Sequence, residues 1–285
     1  MSATPDVSII IITRDARDAL LDSLASIERH AGGLAVETIV VDNASRDDTL
    51  AAVASAHPSA IVVPLTRNEG GSSRNHGLRI ARGRLLMFLD SDARLTAGAL
   101  PDLVGFLDAH PDVGLVGPKL VHEDGRSQHA ARRMPPLVLP ALRRPPLKRW
   151  FEHGRVVRRH LMLDVPEDRT REAEYVIGAC QLFTREAQQR VGELDPRIPF
   201  APEDIDWCVR IRLAGLRVAY RPEVSVVHGY RRTTAGSPVS RAALQHLYGF
   251  YYFHWKWRRA RSWLAADAAR MERAGWALDG VAPAG

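Results

Sequence analysis

Only two cysteines, Cys180 and Cys208, occur among 285 residues, too few for the disulfide framework of a small secreted scaffold. Both lie in apolar surroundings, so buried thiols in a reducing compartment are expected. The first residues, Met-Ser-Ala-Thr-Pro-Asp, show no basic stretch followed by an apolar one, and no signal peptide is expected. No apolar run reaches the ~18 residues of a membrane-spanning helix. No glycine precedes Gly32, so the Gly-rich turn that a dinucleotide-binding fold needs after its first strand is missing. That argues against a nicotinamide enzyme, and the same absence weakens a nucleotidyltransferase.

What is present is ordinary in bulk: 46% hydrophobic and 25% charged residues, enough for a sizeable core in one large domain or a domain with a subdomain. The net charge of +6 is unevenly placed. From Arg132 to His160 nine Lys and Arg residues face Glu152 alone, and prolines break the same stretch at Pro135-Pro136 and Pro145-Pro146, so a continuous helix is not expected there. Aromatics are scarce, at 7%, yet eight of them lie between Leu247 and Leu264, beside Lys256, Arg258, Arg259 and Arg261. That mixture suits a membrane interface; packing on the domain or on another subunit suits it too. No nucleic-acid-binding motif accompanies it.

Apolar runs alternate with helical periodicity through the first third of the chain. Strands are expected at Val7–Ile12, Val36–Val41, Ala60–Leu65 and from Leu85. Helices are expected over Ala16–His30, Arg46–Ala56 with Ser45 as N-cap, Ser72–Ala81 and Ala97–Ala109. This alternation implies an α/β fold with a doubly wound, mostly parallel central sheet. Further on, Val113–Gly117, Glu174–Phe183, Arg217–Tyr220 and Val224–His228 read as strands. Lys119–Gln128 reads as a hairpin turning at Asp124-Gly125, and Thr184–Val191 and Glu203–Ala214 read as helices.

The fourth run, Leu85–Leu89, is unbroken and stops at Asp90-Ser91-Asp92, as in a strand buried on both faces. Alternation along an extended chain sends Asp90 and Asp92 to the same side. At the carboxyl end of a parallel strand, where ligands of open α/β sheets gather, two carboxylates can hold a hard divalent cation. A solvated Asp-Ser-Asp turn has the same sequence, and the motif alone leaves both readings open. Asp42-Asn43 can be an Asx-turn before a helix. Glu203-Asp204 can complement a helix N-terminus, and Arg74 can be a solvated helix-face cation.

Five motifs occur in order: Ile-Ile-Thr-Arg-Asp, Val-Val-Asp-Asn-Ala-Ser, Arg-Asn-Glu-Gly-Gly-Ser-Ser-Arg-Asn-His-Gly-Leu, Phe-Leu-Asp-Ser-Asp and Pro-Glu-Asp-Ile-Asp-Trp-Cys-Val-Arg. Together they resemble a family 2 glycosyltransferase of GT-A fold over about 7–230. Gly117-Pro118-Lys119-Leu120, Asp124-Gly125-Arg126, Gln128-His129-Ala130-Ala131-Arg132-Arg133 and Gly178-Ala179-Cys180 resemble the rhamnosyltransferase-like branch. The resemblance implies inverting transfer from a nucleotide-diphospho-sugar, a UDP- or dTDP-sugar, to a hydroxyl of a glycan or lipid-linked acceptor, with Mn²⁺ or Mg²⁺. It implies Asp90, Asp92 and His228 as metal ligands and Asp204 as general base, with Glu203 the runner-up. It implies Thr13, Asp15, Asp42, Asn43, Arg74, Asp90 and Ser91 around the nucleotide-sugar.

Arg14 stands where the family commonly has an aromatic residue, and Asn43 where it has a second Asp. These departures keep open a non-catalytic relative acting as a partner subunit. The expected organisation is a glycosyltransferase domain over 1–235, with a nucleotide-sugar half to about 117 and an acceptor half from 118, followed by a helical extension over 236–285. The expected place is cytoplasmic. Contact with the inner face of the membrane and homo-oligomerisation stay open.

Overall fold

The computed structural model describes residues 4–142, 148–151, 153–229 and 241–278. Arg143, Arg144, the Lys148 side chain and the domain boundary expected near residue 235 lie outside the described residues.

In chain order the first half runs β1 (Val7–Thr13), α1 (Arg17–His30), β2 (Val36–Asp42), α2 (Thr49–Ala56), β3 (Ile61–Pro64), α3 (Arg74–Ile80), β4 (Leu85–Asp90), β5 (Ala93–Leu95) and α4 (Ala99–Ala109). The middle contains β6 (Val113–Val121), β7 (Ala131–Arg132) and three short helices, α5 (Leu139–Leu142), α6 (Lys148–Phe151) and α7 (Arg155–His160). Then come β8 (Arg171–Glu172), β9 (Tyr175–Val176), β10 (Cys180–Thr184), α8 (Arg185–Val191), α9 (Glu203–Leu213), β11 (Arg217–His228), α10 (Arg241–Lys256) and α11 (Arg261–Arg273).

The main sheet runs β3-β2-β1-β4-β10-β6-β11-β5, with β8 beside β11. It is parallel from β3 through β4, as the βα alternation implies. Beyond β4 it is mixed. β10 enters antiparallel between β4 and β6, β11 is parallel to β6, and β5 and β8 are antiparallel to β11. The central strands carry unbroken apolar runs because helices cover them: α3 packs on β1 and β2, α4 on β6 and β11, and α9 on β6 and β11. Ile9, Ile10, Leu86, Leu89 and Leu182 are fully buried. Both cysteines are free and buried.

Several boundaries differ from expectation for local reasons. The stretch 174–183 forms two strands, β9 in a two-stranded sheet with β7 and β10 in the main sheet. The two late strands form one, β11, whose register against β6 shifts between Arg221 and Ser225. The helix expected from Arg46 starts at Thr49, whose N–H donates to the Asp47 carboxylate at 3.1 Å, while the Asp48 side chain makes no cap bond; Ser45 is not the cap because its hydroxyl donates to the Asp42 carboxylate. The expected hairpin is present, closed by a Val121–Ser127 bridge and by His122 N–H donating to Arg126. The proline-rich segment breaks into α5, α6 and α7.

Two glycines set how closely the elements approach the carboxyl ends of the strands. In α3, a Cβ on Gly77 would lie 2.5 Å from Ile10 Cγ2, so the missing side chain lets α3 press against β1. Gly70 has φ +70°, and a Cβ there would lie 1.7 Å from the Pro199 carbonyl oxygen. The loop before α9 therefore seats on the loop before α3, where Gly71 N–H donates to Pro199 at 3.1 Å. Alanine favours helices over glycine by about 1 kcal/mol, yet Gly77→Ala should destabilise the protein by about 1–3 kcal/mol through overpacking against Ile10. Urea denaturation of the two forms checks the sign.

Candidate active site

Strand register brings the first residues of the site together. Thr13 pairs with Asp42 and Ile12 with Asp90, so β1, β2 and β4 end at one edge. β4 stops at Asp90, and a turn through Ser91 and Asp92 feeds β5. β5 runs antiparallel to β11, with Ala93 opposite His228, and Gly229 N–H donates to the Asp92 carbonyl at 2.8 Å. Asp90 and Asp92 thus converge through a turn rather than through strand alternation. One ligand atom each from Asp90, Asp92 and His228 lies within 4.8 Å of the others. His228 Nε2 is 3.4 Å from Asp92 and 3.7 Å from Asp90.

A residue absent from the expected site set orients that histidine. The Gln128 amide nitrogen donates to the His228 backbone carbonyl at 2.7 Å, which turns its oxygen toward His228 Nδ1, also at 2.7 Å. In the neutral ring Nδ1 then carries the proton, which leaves the Nε2 lone pair on the side of the two carboxylates. A fixed tautomer with two carboxylates and one imidazole nitrogen is a donor set that fits Mn²⁺ or Mg²⁺, and Gln128 supplies the outer hydrogen bond such a histidine needs. Gln128 lies a hundred residues from His228, and no local pattern marks the pairing.

Arg74 joins this trio to the acidic start of α9. Its side chain, 5% exposed, donates to Asp90 at 2.5 Å and to Glu203 at 3.4 Å. The guanidinium lies 5.3 Å from the centre of the Phe88 ring, and Phe88 packs on Phe183 and Trp207. A solvated helix-face cation is therefore not what Arg74 is. Asp204 follows Glu203 and accepts backbone N–H groups of Gly178 at 3.1 Å and Ile205 at 2.8 Å. The next residue, Ala179, accepts Asp90 N–H at 2.9 Å, so the Gly178–Ala179 backbone spans from Asp204 to Asp90.

The electrostatics follow from crowding. Asp90 keeps 33% of its side chain open, yet enough protein surrounds it that desolvation leads. Its pKa is raised, with Asp92 and Glu203 adding to the shift and Arg74 and His228 opposing it. Burial lowers the His228 pKa, but Asp92 and Asp90 outweigh it and the net shift is upward. Desolvation, then the Glu203 charge, pushes Asp204 up to about 6 against the two backbone N–H groups and Arg132.

The expected nucleotide edge is more occupied. Asp42 is buried and accepts both the hydroxyl and the N–H of Ser45. The Asn43 amide donates to Asn68 at 2.8 Å and accepts Glu69 N–H at 2.8 Å, holding the loop before α3. Asp15, at φ 48°, accepts Arg46 N–H at 2.6 Å. Ser91 sits in the turn between the two aspartates. Three buried polar atoms along this edge have no protein partner: Thr13 Oγ1, Arg74 Nε and Glu203 Oε2. Buried polar atoms in native folds are usually satisfied, so they mark where a polar ligand would fit.

Asp206, two residues beyond Asp204, is structural. It is fully buried and holds Arg210 at 3.0 Å, Trp257 at 2.9 Å and Lys256 at 2.7 Å, which anchors α10 to α9.

Comparison with known proteins bears on the family and the fold. The chain is similar to an N-acetylglucosaminyl-diphospho-decaprenol L-rhamnosyltransferase of Mycobacterium tuberculosis, 25% identical over 245 residues covering 79% of this chain and 78% of that one. Its fold resembles a mannosyltransferase of Pyrobaculum calidifontis solved with GDP-Man and Mn²⁺, with TM-score 0.57 and 24% identity, covering 99% of this chain and 67% of that one. It also resembles GalNAc-T7 solved with UDP, GalNAc and Mn²⁺, with TM-score 0.63 and 18% identity over 84% of this chain; there it spans about half of the matched structure, 47%. The family model described as glycosyl transferase family 2 matches residues 8–187, more than half of the chain, and the protein belongs to that family, an α/β transferase of GT-A fold.

Proposed function

We propose that this transferase moves a sugar, with inversion, from a nucleotide-diphospho-sugar to a hydroxyl of a glycan or lipid-linked acceptor. What carries the reading is the meeting of two groups at one sheet edge: the Asp90, Asp92 and His228 trio, and the carboxylates of Glu203 and Asp204 tied to it by Arg74. A UDP- or dTDP-sugar is the proposed donor. Rhamnose as the transferred sugar is drawn from the similarity to the mycobacterial enzyme.

The acceptor hydroxyl ionises far above neutral pH, so a base must take its proton as it attacks. Asp204 is assigned that role. Its carboxylate receives the proton while the acceptor oxygen bonds to the anomeric carbon and the bond from that carbon to the diphosphate oxygen breaks. The two backbone N–H groups hold Asp204 in one orientation, and burial raises its pKa toward that of an effective base at neutral pH. Asp90, Asp92 and His228 would hold a Mn²⁺ or Mg²⁺ ion, whose charge stabilises the departing diphosphate. Arg74 keeps Asp90 and Glu203 apart in charge. Thr13, Asp15, Asp42, Asn43 and Ser91 are assigned to the nucleotide edge, where the unpartnered Thr13 hydroxyl supports a polar contact; Asp42 and Asn43 act there by shaping the loops they bind. Glu203 is the alternative base.

Incubating purified protein with UDP- and dTDP-sugars and a hydroxyl acceptor, and following release of the nucleoside diphosphate, tests the proposal. Asp204→Asn should lower kcat about 100- to 10,000-fold, the range of a lost general base, with the circular dichroism spectrum unchanged. Asp92→Asn should abolish transfer as well; a turnover rate equal to that of the unaltered protein would remove either residue from its role. The pH profile should have a defined sign. Asp204 must be ionised to accept a proton, so kcat/KM should rise as pH rises through about 6, and the Asn variant should lose that limb. Gln128→Leu should weaken Mn²⁺ affinity about 10- to 100-fold, as loss of an outer-sphere partner does, measured by thermal shift against added Mn²⁺.

A further inference from the structure

Of the thirteen exposed large hydrophobic side chains among the described residues, ten fall in two short stretches, 137–156 and 244–263. The two stretches meet at one cavity. Leu137 of the first and Met134 just before it line an apolar cavity of about 310 Å³ together with Phe253 and Trp257 of the second and Leu264 just after it. Arg159, just after the first stretch, pairs with Glu272 of α11 at 3.0 Å.

α10 explains why this face cannot be a core face left slightly open. Ala243, Phe250 and Phe253 point into the protein and are buried. Leu244, Tyr248, Tyr251 and Trp255 follow one another at spacings of four, three and four residues, which is one stripe of a helix, and each is more than half exposed. A helix apolar on both faces is expected where both faces are covered. Trp150, 60% exposed, and Phe151 give α6 an exposed aromatic pair of its own.

The cations say what covers it. Arg149 lies 4.4 Å from the Trp150 ring centre, and Arg258 lies 4.4 Å from that of Trp255. Exposed Arg155 and Arg259 lie in the same two stretches, and exposed Arg158 follows the first. Glu152 is the only acid in the two stretches, against nine lysines and arginines, and aromatic rings interleaved with cations of one sign suit the boundary of an anionic bilayer, with rings among the acyl carbons and guanidinium groups at the phosphates. Among the described residues no helix is long and apolar enough to cross a membrane, so the contact is with the surface.

We propose that the outward faces of α6 and α10 form a docking surface for an anionic lipid bilayer. The docking lies beyond the transfer reaction and stands without it, because the assay contains neither donor nor acceptor. The whole protein is sedimented with vesicles of phosphatidylcholine alone and with vesicles containing phosphatidylglycerol. Binding is expected only to the anionic vesicles, and should fall at high salt as screening grows. Arg149→Glu with Arg258→Glu should lower the vesicle partition coefficient at least about tenfold, and Trp150→Ala with Trp255→Ala should lower it again. A matched near-ultraviolet spectrum and melting temperature show that the variants are folded. Equal sedimentation with both vesicle types, sedimentation with neither, or partitioning unchanged by both variant pairs would overturn the proposal. So would a dimer in sedimentation velocity that the tryptophan variant dissociates in a protein that binds no vesicles, since a second copy would then cover the stripe.

Discussion

Four carboxylates from two distant parts of the chain crowd one edge of the sheet, and Arg74 is the group that makes their meeting tolerable. Asp90 and Glu203 each sit against its guanidinium. Two buried carboxylates without such a partner would repel one another in a medium far less screening than water. The arginine is itself nearly inaccessible, supported by the Phe88 face and the aromatic trio beneath it. Removing one member of a buried charge set leaves the others uncompensated, which costs far more than a surface ion pair contributes. The rest of the site follows from this anchoring. α3 must lie close to β1 to deliver Arg74, and Gly77 permits it. The loop before α9 must lie on the loop before α3 to deliver Glu203, and Gly70 permits that.

A second order is imposed from β11 and the hairpin after β6. His228 reaches the aspartates because β5 turns back to pair with β11, and Gln128 meets His228 because the hairpin returns the chain after β6. In sequence the glutamine ends the hairpin expected over Lys119–Gln128 and opens the motif Gln128–Arg133, with no role attached to its side chain. In the fold its amide selects the protonated nitrogen of the imidazole and so the atom offered to the aspartates. On the far side of Asp204, α10 pins α9 through Lys256 and Trp257 on Asp206. The same helix that fixes the position of the acidic motif turns its other face outward, so the aromatic and basic surface is rigidly connected to the edge where the carboxylates meet.

A buried acid at the other end of the sheet, Glu37, shows how differently the protein treats acids that only hold structure. Glu37 binds the Ser8 hydroxyl at 2.6 Å and Arg82 through both its backbone and its side chain, so both carboxylate oxygens are satisfied. At the strands' carboxyl ends Glu203 Oε2, Thr13 Oγ1 and Arg74 Nε have no protein partner. That contrast separates a structural acid from one placed for a ligand more clearly than burial does.

The resemblance of five motifs to the family implied Asp90, Asp92, Glu203, Asp204 and His228 as site residues; the amino-acid pattern by itself determined the α/β class, the first four strands and their helices, the Asp90-Ser91-Asp92 end of the fourth strand and the acidic start of α9. These are local properties: runs of apolar residues, helical period and punctuation by Gly, Pro and Asp act within a dozen residues. The tertiary structure decided what those residues meet. The antiparallel entry of β10, the conversion of Ser45 from a cap into a partner of Asp42, the occupation of Asn43 by the loop before α3, and the pairings Arg74–Glu203 and Gln128–His228 link residues 3 to 129 positions apart. Hydrogen bonds and ion pairs across such separations leave no periodic trace along a chain. They exist only once burial of the sheet has brought its edges together.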